Sequence, residues 1–237
     1  VSGILIGVGV GPGDPELITL KGLRALREAR AVFVPVGDAG EAGRAEAIVR
    51  HHVPPERIRR LVFALSGDAA ARRLNWERAA REAAGALERG GAYAFATLGD
   101  PNFYSTFTYL ARRLRQVLPE ARVQTVPGVT AMQDLASRSG TVLVEGEERL
   151  ALLPFTAGRE RLREALEGFE SVICYKGGGR LAEVLEVARA AGRLQDAVYG
   201  ARLGLPGEEI RPAREMAGRE GPYLSTVIFT SGGGRER

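Results

Sequence analysis

Ala92-Tyr93-Ala94-Phe95-Ala96-Thr97-Leu98 is an apolar run that gives way to Gly99-Asp100-Pro101-Asn102-Phe103-Tyr104-Ser105-Thr106, after which residues 107–118 recover apolar positions at helical spacing. A buried strand, a loop rich in turn formers and a helix therefore follow one another directly. Open α/β sheets bind ligands at such junctions, beyond the carboxyl end of a strand. The same order recurs upstream. Residues 4–10 read as a strand ending in Gly11-Pro12-Gly13-Asp14-Pro15, and Leu17, Leu20, Leu23 and Leu26 then mark one face of a helix over 17–29. Strands over 31–36 and 60–65, a helix over 45–51 and an amphipathic helix over 75–89 with a Gly90-Gly91 stop signal complete the approach to Ala92. Alternating strands and helices imply a mainly parallel sheet.

Beyond Pro119 a short strand is predicted over 123–126, and Pro127-Gly128-Val129-Thr130 turns into a further helix. The domain boundary is placed here, with residues 1–122 as an N-terminal α/β domain and 123–237 as a C-terminal α/β domain carrying a mixed sheet. That second domain is expected to hold strands over 150–154, 172–175, 197–201 and 224–230, helices over 159–166 and 181–191, and a frayed tail over 232–237.

The 237 residues, 45% hydrophobic and 26% charged, are those of an ordinary globular protein, which excludes disordered and fibrous classes. The apolar stretch at 4–10 is far too short to span a bilayer and lacks a basic flank, so a cytoplasmic protein with no membrane contact is expected. One cysteine, Cys174, forms no internal disulfide and reads as a buried strand residue. His51 and His52 are no metal-ligand set, and read as solvent-exposed residues at a helix end; no metal is expected. Lys21 and Lys176 are the only lysines behind a net charge of +4, so the basic character is arginine's. That surplus either reflects composition or suits an acidic partner. Nucleic acid is disfavoured, because the arginines interleave with glutamates on helices and no aromatic-plus-basic stripe occurs.

Gly7-Val8-Gly9-Val10-Gly11-Pro12-Gly13 suggests a dinucleotide fingerprint, but Pro12 or Asp14 stands where its third glycine belongs. No phosphate-binding G-x-x-x-x-G-K-[ST] loop is present either. Taken singly, Gly99-Asp100-Pro101 passes for a helix-initiating turn and Pro127-Gly128-Val129-Thr130-Ala131 for a capped linker. Together, three glycine-proline loops that each follow a strand can converge on a cleft between two α/β domains.

Gly9-Val10-Gly11-Pro12-Gly13-Asp14-Pro15-Glu16-Leu17, Leu98-Gly99-Asp100-Pro101 and Pro127-Gly128-Val129-Thr130-Ala131, in this order, resemble the motifs of the tetrapyrrole methylases of cobalamin and sirohaem synthesis. The resemblance implies an S-adenosylmethionine-dependent C-methyltransferase, two α/β domains enclosing the cofactor, and a homodimer. Residues 98–107, the Asn75-Trp76 helix, residues 144–150 with Leu153-Pro154, and Tyr175-Lys176 resemble the branch that methylates C-20 of precorrin-2 or of its cobalt complex. Lys176 stands where uroporphyrinogen methylases carry methionine, which argues against C-2/C-7 methylation; methylation of a later precorrin and a non-catalytic binding module are the other readings. Residues 38–44 lack the serine of that branch, and Phe63-Ala64-Leu65 replaces a Phe-Pro-Met-like run.

By the same resemblance, Pro12, Leu98, Gly99, Asp100, Phe103, Thr130, Ala131, Lys176 and Ala201 are the expected cofactor contacts. Asp100 is the expected partner of the α-ammonium or of a ribose hydroxyl. Tyr104 is the candidate catalytic residue at the tetrapyrrole, its alternative being a core aromatic in the first helical turn. Tyr104, Ser105, Arg44 and Arg112 are expected on the substrate side, because precorrin-2 carries carboxylates on its acetate and propionate chains.

Overall fold

The computed structural model describes residues 3–38, 40–63 and 69–231. These fall into two units, Val1–Thr130 and Ala131–Arg237. The first contains β1 (Ile4–Gly9), α1 (Leu20–Glu28), β2 (Val32–Val36), α2 (Arg44–Val49), β3 (Ile58–Val62), α3 (Ala69–Leu87), β4 (Ala92–Thr97), α4 (Thr106–Val117) and β5 (Arg122–Val126). Its sheet runs β3-β2-β4-β1-β5, and every neighbouring pair is parallel. Alternate residues of each strand serve opposite faces. Val8, Val32, Val34, Ala94 and Ala96 pack with Leu26 of α1 and Ile48 of α2. Leu5, Phe33, Leu61, Tyr93 and Phe95 pack with Ala80 and Ala83 of α3 and Phe107 and Leu110 of α4. Burial on both faces explains why β2 and β4 read as continuous apolar runs. Each large side chain sequestered this way contributes roughly 1.5–3 kcal/mol.

Helix boundaries follow the caps. The Thr19 side chain accepts from Gly22 N at 3.0 Å, so α1 begins at Leu20, and Pro15–Leu17 is a separate 3-10 turn capped by Asp14. The helix expected from residue 75 already begins at Ala69. Ala64 and Leu65 of the expected third strand, and the tail at 232–237, lie outside the described residues. In α2, Glu46 is buried and accepts from Arg60 Nε at 2.7 Å and from Arg50 Nη2 at 2.6 Å. The Arg60 guanidinium, helped by Arg50, holds this carboxyl below its ordinary value and ties α2 to β3.

The boundary expected at 122/123 is corrected. β5 pairs with β1 from Ile4↔Arg122 to Val8↔Val126, so it is the edge strand of the first sheet, and the division falls between Thr130 and Ala131. An edge strand with exposed Arg122, Gln124 and Thr125 carries a weak apolar signal, which lets it pass for the start of a new domain.

The second unit contains α5 (Ala131–Ser139), β6 (Leu150–Pro154), α6 (Arg159–Gly168), β7 (Ser171–Tyr175), α7 (Leu181–Ala190), β8 (Val198–Ala201), β9 (Glu209–Pro212) and β10 (Ser225–Phe229). Its sheet, β6-β7-β10-β8-β9, is mixed. β9, which the sequence pattern did not signal, adds to β8 as an antiparallel edge. β7 and β8 both run antiparallel to β10 between them, so they are parallel to each other and their carboxyl ends share one edge. One face packs Val172, Cys174, Tyr199 and Phe229 against Leu162 of α6 and Leu185 of α7. The other packs Ile173 and Ile228 against Leu135 of α5. Burial pushes the Cys174 thiol up to about 12, in keeping with an inert core residue. Among the described residues, no helix is long and apolar enough to cross a membrane.

Candidate functional site

In the first unit, β4 and β1 are neighbours, yet α1 leaves β1 for one face of the sheet and α4 leaves β4 for the other. A crevice opens where such connections diverge. β5 flanks β1 on its far side, so the loops at 10–19, 98–105 and 127–130 leave one edge of the sheet from three adjacent strands.

These loops touch through their main chains. Gly99 N donates to Gly11 O at 2.8 Å, and Val10 N donates to Thr97 O at 3.0 Å. A Cβ on Gly9 would stand 2.5 Å from Gly99 O and 2.6 Å from Gly128 N, and one on Gly128 would stand 2.3 Å from Gly99 O. Only glycine permits this approach. Gly99 has φ +68, and the side on which its Cβ would lie is open space. One flank of the loop is thus locked and the other presents bare backbone.

Asp100 holds the second loop to the third. Its Oδ1 accepts from Asn102 N at 2.8 Å and its Oδ2 from Gly128 N at 3.0 Å. Asn102 Nδ2 also donates to Thr125 Oγ1 at 3.3 Å. Leu98 packs into the α1/α2 side of the core, and Pro12 and Thr130 are buried.

Ser105 does not face outward. It is buried, its Oγ accepts from Phe107 N at 3.1 Å as the N-cap of α4, and it shares a 2.8 Å hydrogen bond with Thr97 Oγ1. The helix start it caps explains why this hydroxyl is turned into the fold. Tyr104, by contrast, is 48% exposed, has φ +48, and has its ring 5.2 Å from that of Phe103 in an edge contact. It is not a core aromatic. A tyrosine in the left-handed region is strained, and such strain clusters at functional sites.

In the second unit, the Tyr175 hydroxyl accepts from Met132 N at 2.9 Å, joining the start of α5, and so Ala131, to the end of β7, and so Lys176. Ala201 closes β8 on the same edge and is buried. Lys176 and Arg202, the residues just past β7 and β8, both have left-handed backbones, at φ +59 and +51. Arg202 carried no sequence signal, because backbone strain leaves no mark on residue type.

Arg44 is the exposed first residue of α2, beyond β2, and Arg112 is exposed on α4. His51 is exposed as expected, but His52 is not simply a solvated helix end. Its Nε2 lies 2.9 Å from Pro15 O, a pure acceptor, so the imidazole donates and secures the first loop across 37 residues of sequence. A contact of that separation cannot be read from local pattern. Among the described residues no group of histidine, cysteine or carboxylates is placed to hold a metal.

The sequence profile of the Tetrapyrrole (Corrin/Porphyrin) Methylases matches residues 4–217. The chain belongs to this family. Within it, the chain is 33% identical over 235 residues to a Precorrin-2 C(20)-methyltransferase of Sinorhizobium, covering 95% of this chain and 94% of that one. It is 31% identical over 231 residues to the Cobalt-precorrin-2 C(20)-methyltransferase of Salmonella typhimurium, covering 96% of each. In structure, this methylase superimposes on the uroporphyrin-III C-methyl transferase of Thermus thermophilus complexed with S-adenyl homocysteine, with a TM-score of 0.63 at 22% identity over 95% of this chain and 97% of that one. The α/β fold read from the strand–loop–helix pattern is the fold of these methylases.

Proposed function

We propose that this tetrapyrrole methylase transfers the methyl group of S-adenosylmethionine to C-20 of precorrin-2 or cobalt-precorrin-2 in cobalamin biosynthesis. The observation that carries the reading is identity of about one third, over nearly the whole chain, to proteins of both those names. The loops of the first unit suit the cofactor. A backbone-lined cradle with the Gly99 flank open offers amide and carbonyl groups at close range to a ribose, an adenine and an amino-acid end. Pro12, Leu98, Gly99, Phe103 and Thr130 are the proposed contacts from the first unit, and Ala131, Lys176 and Ala201 those from the second. Asp100 is a positioning residue, since both its carboxylate oxygens accept from loop amides; its remaining lone pairs can still meet the ammonium or a hydroxyl.

The bound cofactor supplies an electrophilic methyl group on a sulfonium. The protein's share is to align a nucleophilic ring carbon with that methyl and to keep water out, and orientation of this kind contributes up to roughly 7–11 kcal/mol to lowering a barrier. Tyr104, held outward by its strained backbone, is proposed to meet the tetrapyrrole ring. Arg44 and Arg112 are proposed to meet its carboxylates. As proposals of the same family origin, the enzyme works in the cytoplasm as a homodimer.

The test is incubation with methyl-labelled S-adenosylmethionine and precorrin-2 or cobalt-precorrin-2, followed by mass spectrometry and carbon NMR of the product. One labelled methyl at C-20 is expected. A methyl on another carbon, or acceptance of only a later precorrin, overturns the assignment.

A further inference from the structure

The proposed substrate raises a question that the cofactor loops do not answer: where its many carboxylates are received. On the far side of the second loop, α4 and the edge strand β5 border an open groove of about 620 Å³ lined by Asn102, Thr108, Arg112, Arg115, Gln124 and Thr125, among others. The sheet order explains the groove, because β5 has a partner on one side only. Thr108, Arg112 and Arg115 lie three and four residues apart, which puts them in line along one face of α4.

Three observations give the groove a chemistry. Its charged lining side chains are both arginines, and it is otherwise lined with hydroxyl and amide groups over an apolar floor of Phe107, Ala111 and Val123. Among the described residues, neither Arg112 nor Arg115 has an ion-pair or hydrogen-bond partner, so both guanidiniums are available to a ligand in the groove. Thr108, in the first turn of α4, lines the groove, so the positive end of that helix's dipole lies at its wall. Two guanidinium forks one turn apart, each able to grip a carboxylate with two parallel hydrogen bonds, match a ligand with several short carboxylate arms on a flat apolar body.

We propose that the α4/β5 groove is a carboxylate receiver for the tetrapyrrole, with Arg112 and Arg115 as its paired anchors. The inference rests on the methyltransferase reading for its ligand and adds Arg115 and the edge strand to the substrate side. It puts substrate recognition on the outer edge of the first sheet, beside Asn102, the residue that links the second loop to β5.

The experiment compares wild type, Arg112→Gln, Arg115→Gln and the double variant. Steady-state turnover is measured with precorrin-2 or cobalt-precorrin-2, whichever the wild type accepts, and binding of uroporphyrin III, a stable octacarboxylate, is followed by fluorescence quenching. Both arginines are exposed surface residues, and a thermal melt verifies folding. The double variant is expected to raise the tetrapyrrole KM and the uroporphyrin Kd at least tenfold, with a flatter salt dependence of binding, an unchanged Kd for S-adenosylhomocysteine and a kcat within twofold. Arg115→Lys is expected to recover part of the loss, because it keeps charge without the fork. Normal KM and Kd in a folded double variant refute the groove and leave the methyltransferase reading intact. The converse pattern, no turnover by wild type but uroporphyrin binding lost in the double variant, refutes that reading and leaves the groove.

Discussion

Replacing Gly128 by alanine puts the main-chain contact of the three loops to a direct test. The added methyl would stand 2.3 Å from Gly99 O and 2.7 Å from both the Cα and the carbonyl carbon of Gly9. Ordinary contact for such atoms begins at about 3.4 Å, so the third loop must retreat by roughly 1 Å, and no flexible side chain is there to give way. Overpacking of this kind costs about 1–3 kcal/mol. The retreat also stretches the 3.0 Å bond from Gly128 N to Asp100, a further loss of about 1 kcal/mol. A total of about 2–4 kcal/mol is expected as a lower urea midpoint at unchanged m, with the calorimetric Kd for S-adenosylhomocysteine raised at least tenfold. Gly99→Ala separates strain from collision. That position has φ +68 but nothing in the way, so it is expected to lose about 1–2 kcal/mol without displacing its neighbours. If Gly128→Ala lies within about 0.5 kcal/mol of wild type and binds the ligand normally, the loops are not held by main-chain contact and the reasoning fails.

Three further outcomes are expected. Glu46→Gln should lower stability at neutral pH by about 1–3 kcal/mol, less than for a fully buried pair because Arg50 and Arg60 keep solvent contact. Since the folded-state value of Glu46 is depressed, the stability it contributes is complete above the ordinary value of 4.5 and is lost as pH falls through the lowered one, so urea unfolding should show wild type and variant converging in acid. Tyr104→Gly should raise the melting temperature slightly, by relieving about 1–2 kcal/mol of left-handed strain, while reducing turnover at least tenfold; unchanged turnover removes Tyr104 from the site. Cys174, with its thiol pushed up to about 12, should resist iodoacetamide at pH 8 in the native enzyme and react on unfolding in urea, as followed by mass spectrometry.

The readable parts of the molecule were those set by local pattern. Strands buried on both faces, such as β2 and β4, are continuous apolar runs, and glycine-proline loops mark where they end. Of the four edge strands, β3 and β6 are legible as apolar runs, whereas β5, with Arg122, Gln124 and Thr125 exposed, passes for the start of the second domain, and the short β9 carries no signal. At the site, glycines and Asp100 were conspicuous as residue types, but their roles were not. That Asp100 bonds the third loop, that Ser105 turns inward to Thr97 and that His52 reaches Pro15 are consequences of approach in space between segments distant along the chain. The left-handed backbones of Tyr104, Lys176 and Arg202 are likewise settled by the turns they complete and not by their side chains.

The contact among Gly9, Gly99 and Gly128 bears on how such an enzyme changes its substrate. A junction made from peptide groups offers no side chain for mutation to trim, and any enlargement jams it, so the end of the site proposed for the cofactor is closed to gradual remodelling. The residues proposed to meet the substrate, Tyr104 at a loop tip and Arg112 and Arg115 along a helix face, are exposed and replaceable one at a time. On the proposed function, variation can therefore re-aim a different ring carbon at the same methyl group while the loops proposed to hold the donor stay as they are, and attempts to redirect the enzyme have the best prospects on the α4 face.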